Sequence, residues 1–272
     1  MRPTAFLRFA AALTMAAAVG APLRAQVAPA SRPDWAGDLA FLAAELPKRH
    51  VAPFHRLPEE EWRKRVEAVR AELPGLDDAL TVVAFQRLAA ALGDSHTTVR
   101  GDRQSPPSTW TFRLPAAVQW VKEGAVFWAL PAEHAAVLGR PILSVGGVPW
   151  DEAAARLATT FAYDNDSWRK EGVMGALLDA ANLRALGLSR KDGATEFVLA
   201  GNDGGAPTTV ALRAPKDNVA AKAVRFARKP DVADFAPTLA LDRPIYGRRR
   251  IDESRTLFVW YDACRTDPQR PL

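Results

Sequence analysis

The run Leu92-Gly93-Asp94-Ser95-His96-Thr97-Thr98 places a carboxylate, a hydroxyl and an imidazole on consecutive residues. Imidazole is the side chain whose proton affinity lies nearest neutral pH, which suits general-base chemistry. Two uses of these residues are open. One is catalysis centred on His96; the other is local side-chain-to-backbone hydrogen bonding in a loop that carries a surface histidine. Gly93 fits the left-handed position just past a helix end, which glycine takes at no steric cost.

Other clusters point away from chemistry. Asp164-Asn165-Asp166 lacks the glycine and distal glutamate of a calcium loop and suits a helix cap instead. His50 and His55 flank Pro53 without a third ligand nearby, so the spacing gives no zinc site. His134 sits in a helical turn among alanines, where exposure is expected. Gly201 to Gly205 reads as a hairpin turn, not a phosphate cradle, because no helix with a Lys-Ser/Thr pair starts there. No metal and no cofactor are expected.

The elements that must position His96 are legible as three amphipathic helices. Asp34 caps the first, with Trp35, Leu39, Leu42 and Leu46 on one face until Pro47 stops it. Pro58 opens the second in its first turn, followed by Glu59, Glu60 and Glu61 at the positive end of the dipole. Trp62, Val66, Val69 and Leu73 form its apolar stripe, Pro74-Gly75 closes it, and Glu59–Arg63 and Glu60–Lys64 are spaced to pair. The third begins near Asp77 or Asp78 and carries Leu80, Val83, Leu88 and Leu92 to Gly93. The tryptophans are read as core.

Beyond Pro106-Pro107 the pattern turns to extended runs at Thr109 to Leu114, Ala117 to Val121 and Ala125 to Leu130. Ile142 to Val145, Gly146-Gly147 and Val148 to Trp150 predict a strand, a tight turn and a short strand. A helix from Asp151 to Ala158 follows, with Asp151 as its cap. A second helical stretch is expected from about Ser167 to Leu186, and a hairpin pairs Phe197 to Ala200 with Thr208 to Leu212. Residues 214–244 read as proline-punctuated linker, and Thr256 to Tyr261 as a strong strand.

The chain has 272 residues, of which 48% are hydrophobic and 25% charged, a globular composition able to bury a core. Its net charge of +5 does not indicate nucleic acid. Setting aside Arg2, Arg8 and Arg24 leaves 33 basic against 31 acidic residues, with Arg248-Arg249-Arg250 the only tight basic run. Residues 1–25 read as a secretory signal, with Arg2 and Arg8 ahead of the apolar run Phe9 to Val19 and Ala25 before a cut at Gln26. Leu23 fits that cut poorly, so an uncleaved anchor is the competing reading. No later segment is apolar enough to span a bilayer, and Cys264 is the only cysteine, so an exported chain rests on packing.

The order of these pieces resembles the N-terminal part of the tail-specific, or C-terminal processing, serine peptidases, above all their tricorn-like branch. There a helical domain ends in a Gly-Asp-X-His-Thr-like stretch, matched by Gly93-Asp94-Ser95-His96-Thr97. A PDZ-like domain follows, whose signature looks like Leu138-Gly139-Arg140-Pro141-Ile142-Leu143-Ser144-Val145-Gly146-Gly147-Val148-Pro149. The opening strand of the α/β core is similar to Ser254-Arg255-Thr256-Leu257-Phe258-Val259. The resemblance implies an α+β chain: signal 1–25, helical bundle 34–100, PDZ-like β-rich domain 108–214, linker 215–244, and the first strand of a truncated core in 245–272. It also implies His96 as general base, Ser95 as the hydroxyl behind it in a Ser-His-Ser-Glu arrangement, and a peptide or unfolded protein as substrate. Other family members use a serine–lysine dyad, in which this histidine need not be catalytic.

The family's PDZ-like domain implies peptide capture by strand addition, for which the segment Ile142 to Leu157 is the candidate groove; simple packing is the other reading. The family's nucleophilic serine lies in a Gly-rich turn well after the core's first strand, and the sequence ends at Leu272 with no such turn after Tyr261. The expectation is an exported peptidase fragment, periplasmic or extracellular, inactive by itself. The alternative is a stand-alone peptide-binding or regulatory module. The Thr256 to Tyr261 strand, deprived of core partners, is expected to promote aggregation.

Overall fold

In the computed structural model, which describes residues 34–99, 113–216, 224–228, 246–251 and 255–261, Asp34 starts helix α1 (Trp35–Arg49). Its carboxylate accepts the Gly37 N–H at 3.0 Å. The helix does not stop at Pro47 but runs one half-turn further. Proline removes a single N–H from the ladder; the turn still closes, with the His50 N–H on the Leu46 carbonyl at 3.0 Å. Lys48 and Arg49 pair back to Glu45 at 2.9 and 3.2 Å.

Helix α2 (Glu59–Glu72) follows Pro58, and its wet face carries Glu60–Lys64 at 2.7 Å, Glu61–Arg65 at 3.1 Å and the Glu59–Arg63 pair. A 3-10 turn (Leu73–Gly75) ends it. Asp77 caps helix α3 (Asp78–Ala91), accepting the Leu80 N–H at 3.1 Å. Leu39, Leu57, Trp62, Val66, Phe85, Leu88 and Leu92 are buried together between these helices. Trp35 lies edge-on to Phe85, with ring centroids 5.8 Å apart, and donates from Nε1 to Asp78 at 2.8 Å.

The β-rich region starts with strands β1 (Ala117–Val121) and β2 (Gly124–Pro131), paired antiparallel. A 3-10 turn (Ala132–Val137) carries His134, which is half-buried instead of exposed. Strands β3 (Ile142–Val145) and β4 (Val148–Pro149) lead directly into helix α4 (Trp150–Leu157). The cap position falls on Pro149, not Asp151, because the chain enters the helix straight from β4; Asp151 and Glu152 occupy the first turn. The stretch expected as one helix over Ser167 to Leu186 is two, α5 (Asp166–Leu177) and α6 (Ala180–Ala185). Asp179 accepts from the N–H groups of Ala181 and Asn182, restarting the helix. The Leu178 carbonyl is taken by the Leu114 N–H at 2.8 Å.

Strands β5 (Ala194–Leu199) and β6 (Thr208–Arg213) form the expected hairpin, and the second sheet runs β4-β3-β5-β6. Strand β7 (Phe226–Arg228) lies in the stretch read as linker, yet pairs antiparallel with β2 to give the order β1-β2-β7. Strands β8 (Tyr246–Ile251) and β9 (Thr256–Tyr261) pair with each other. The β-rich core buries Leu157, Leu177, Leu183 and Leu188 and sets Phe127 edge-on to Phe197, with centroids 5.0 Å apart. The α+β reading therefore stands. The signal over 1–25, the Pro106-Pro107 boundary and most of the Thr109 to Leu114 run lie outside the described residues.

Three side-chain contacts fasten the helical region to the β-rich region. Arg184 Nη2 donates to both carboxylate oxygens of Asp77 at 2.5 and 2.6 Å, Arg56 donates to the Tyr163 carbonyl at 3.3 Å, and Ser95 donates to Asp164. The last two end beside the loop that carries His96.

Candidate functional site

Helix α3 ends at Gly93, whose φ of +78° turns the chain sharply. A Cβ there would come within 2.5 Å of the Arg56 side chain, so glycine serves both the turn and the close approach. The next residues are fixed by one carboxylate. Asp94 Oδ2 accepts the Thr97 hydroxyl at 2.5 Å, and Oδ1 accepts the His96 backbone N–H at 3.0 Å. The Thr97 N–H closes a turn on the Asp94 carbonyl at 3.0 Å.

His50, at the end of α1, supplies a further donor. Its Nδ1 accepts the Ala52 N–H at 3.1 Å, so that nitrogen is unprotonated and the ring proton sits on Nε2. Nε2 faces Asp94 Oδ2 at 3.1 Å, and only 13% of the His50 side chain is exposed. The Thr97 hydroxyl, then the His96 N–H and His50, hold the Asp94 carboxyl down to about 2, while burial pushes it upward. Asp94 is thus an ionised anchor for the loop.

His96 is the opposite kind of histidine. Its side chain is 93% exposed, with Nδ1 3.3 Å from Ser95 Oγ and 3.8 Å from Asp94 Oδ1. The second distance is too long for a hydrogen bond, so Asp94 holds the backbone of His96 and not its ring. Nε2 has no hydrogen-bond partner among the described residues and faces solvent. The structure brings Ser95 and His96 together as ring and hydroxyl. It supplies no second hydroxyl, thiol or amine bonded to the His96 ring among the described residues.

An open cleft of about 560 Å³ lies beside the loop, lined in part by Leu46, His50, His55, Asp94, Thr97 and Asp164. His55 stacks on His50, with ring centroids 6.2 Å apart and planes within 6°, and its Nδ1 sits 2.7 Å from the Ala52 carbonyl. Among the described residues no three His, Cys, Asp or Glu side chains are grouped as metal ligands would be. The Asp164-Asn165-Asp166 cluster does serve as a cap, through Asn165 accepting the Trp168 N–H at 2.9 Å.

Sequence reasoning missed His50, Thr97 and Asp164 as parts of this site. Thr97 was within reach of it, because an aspartate followed three residues later by threonine is a local capping pattern. His50 and Asp164 lie 44 and 69 positions from their partners, and nothing in their own surroundings marks them. Within the segment Ile142 to Leu157, β3 lies between β4 and β5, and β4 is an outer strand of its sheet among the described residues.

No protein-family model matches the chain, and no curated protein does. Among solved structures, a point mutant of CPAF, the Chlamydia protease-like activity factor, is 18% identical with a TM-score of 0.45, over 66% of this chain and 34% of its own. Mature CPAF is 17% identical with a TM-score of 0.42, over 77% of this chain and 38% of its own. The chain thus spans between 34% and 38% of the length of those structures. No helix among the described residues is long and apolar enough to cross a membrane.

Proposed function

We propose that this chain carries the base-bearing part of a serine-peptidase centre, with His96 as general base and Ser95 as the hydroxyl behind it. The observation that supports the reading is the contrast within one loop. Asp94 ties down the His96 backbone N–H and the Thr97 hydroxyl, while the imidazole itself projects into solvent with Nε2 unengaged among the described residues. A structural histidine would be expected to spend both nitrogens, as His50 does. The chemistry is acyl transfer on a peptide or unfolded protein: a serine hydroxyl, contributed by a segment other than the described residues, loses its proton to Nε2 and attacks the carbonyl.

On this reading the chain is exported by its first 25 residues, acts in the periplasm or outside the cell, and does not hydrolyse peptides by itself. The test joins sequence and assay. Reading the DNA past codon 272 in all three frames should reveal a Gly-rich serine turn. The chain extended through that turn should hydrolyse an unfolded protein, with His96→Ala lowering kcat by about 10²–10⁴-fold. Peptide cleavage by the 272-residue chain that depends on His96 would end the idea of a divided centre.

The outer edge of β6, unpaired among the described strands, favours one second reading, a peptide-binding module that works by strand addition. Saturable peptide binding by the chain, abolished by a proline at Val210 and unaffected by His96→Ala, would select it.

A further inference from the structure

We propose that the cavity between α2, α3 and the 158–163 segment binds a medium-chain fatty acid, with Arg87 and Arg56 holding its carboxylate. The proposal goes beyond the peptidase reading and does not depend on it. The cavity measures about 480 Å³, within the range of small-molecule sites, and shares only Gly93 with the cleft beside the His96 loop. Three arginines line it against one acidic residue, Glu72. Arg65 is already committed, its Nε on Glu61 at 3.1 Å. Arg87 has no hydrogen bond or ion pair among the described residues. Arg56 gives its hydrogen bond to a neutral acceptor, the Tyr163 carbonyl. Two cations in one cavity thus lack a carboxylate partner among the described residues, and the planar fork of a guanidinium matches a carboxylate in shape and charge.

An unpartnered arginine on a flat surface is merely solvated; here two of them share a concave site with an apolar wall. Helix α2 contributes Val69 to it, α3 contributes Ala84, Leu88 and Ala91, and the 158–163 segment contributes Phe161. Ala84 and Ala91 are seven residues apart, so this wall runs about 10 Å along α3. The lining decides between kinds of anion. Inorganic phosphate or acetate would leave the apolar wall facing water, and a dianion would also meet Glu72. A peptide terminus brings amide groups that need partners. The cavity offers no strand edge to supply them, because α2 and α3 spend their backbone groups within the helix. One carboxylate on a flexible aliphatic chain leaves no polar group unmatched. That combination is a fatty acid.

The test needs no peptidase activity. The ¹⁵N-labelled 272-residue chain is titrated with decanoate below its micellar range, and amide shifts are followed. Saturable shifts are expected at Ala84, Leu88, Gly93 and Ala162, which line the cavity. Decanol, which has the chain without the charge, should bind about tenfold more weakly, and acetate should give no saturable shift. Arg87→Gln should weaken decanoate about tenfold while leaving the thermal midpoint in place, and Arg87→Lys should recover part of the loss. Arg70→Gln, outside the cavity, and His96→Ala should both leave the affinity unchanged. Should Arg87→Gln fail to fold, Ala68→Leu narrows the same cavity from an exposed position and should weaken decanoate in its place. Absence of saturable binding overturns the proposal, as do equal affinities for decanol and decanoate. Shifts centred on the β8–β9 hairpin, or binding lost with His96→Ala, would place the ligand elsewhere and overturn it too. A peptide with an apolar C-terminal residue that bound these same amides more tightly than decanoate would overturn the assignment to a fatty acid.

Discussion

Protonating Asp94 should loosen the His96 loop, because its three hydrogen bonds, from His50, the His96 N–H and Thr97, all deliver hydrogens to a carboxylate. The sign follows from the direction of the shift. Its folded value of about 2 lies below the ordinary 3.8, so the stability it contributes is complete above pH 3.8 and is lost as pH falls toward about 2. The Thr97 hydroxyl is the foremost cause, so Thr97→Val should move the Asp94 titration upward, between those two values, as followed by the ¹³C shift of its carboxyl group. An unmoved titration would mean that the Thr97 contact is incidental. These residues also show what a local reading can reach. Gly-Asp-Ser-His-Thr announces a helix end, a loop and an exposed imidazole, because all of that is settled within five residues. The identity of the groups behind Asp94 and Ser95 is settled by how α1 and the 161–165 segment pack, and adjacent residues carry no trace of it.

Elements obey the same division. The Gly146-Gly147 turn between β3 and β4 is legible, since both residues take left-handed φ, +57° and +81°. What the sequence conceals is that the two glycines answer different needs. A Cβ on Gly147 would meet nothing within 4 Å, whereas on Gly146 it would lie 2.2 Å from the Leu188 carbonyl oxygen. Gly147→Ala should therefore cost about 1–2 kcal/mol, the strain of a left-handed alanine. Gly146→Ala should cost about 1–3 kcal/mol more, because backbone at Leu188 must shift to admit the methyl group. Urea unfolding of the two variants compares them directly, and equal midpoints would contradict the close approach. The split between α5 and α6 was hidden for a similar reason. Apolar periodicity runs on through Leu177, Leu178 and Leu183, and the break comes from the Leu114 N–H taking a carbonyl 64 residues further along the chain. β7 was missed because three residues are too few to show a period, and its pairing with β2 is what makes it a strand.

At the scale of the molecule, the described residues hold two buried clusters, one between the three helices and one beneath the β-rich sheets, and the β8–β9 hairpin belongs to neither. Its strands pack extensively only on each other among the described elements. The register sets Arg248 opposite Val259 and Arg250 opposite Leu257, so one face mixes exposed cations with apolar side chains. Leu257, Val259 and Tyr261 are 55%, 64% and 54% exposed. Both strands are edges, and a two-stranded ribbon by itself is marginal in water. The aggregation expected of Thr256 to Tyr261 therefore keeps its physical basis even though β8 supplies one partner. Removing residues 245–272 should raise the soluble yield and suppress light scattering on concentration. It should leave the urea-unfolding free energy of the two clusters within about 0.5 kcal/mol, as for surface changes that touch no core contact. The combination is what tests the placement. A solubility gain with an unchanged transition fits a hairpin that stands apart; a weakened transition would mean that the hairpin packs on one of the clusters and that its apolar face is a core surface instead of an open one.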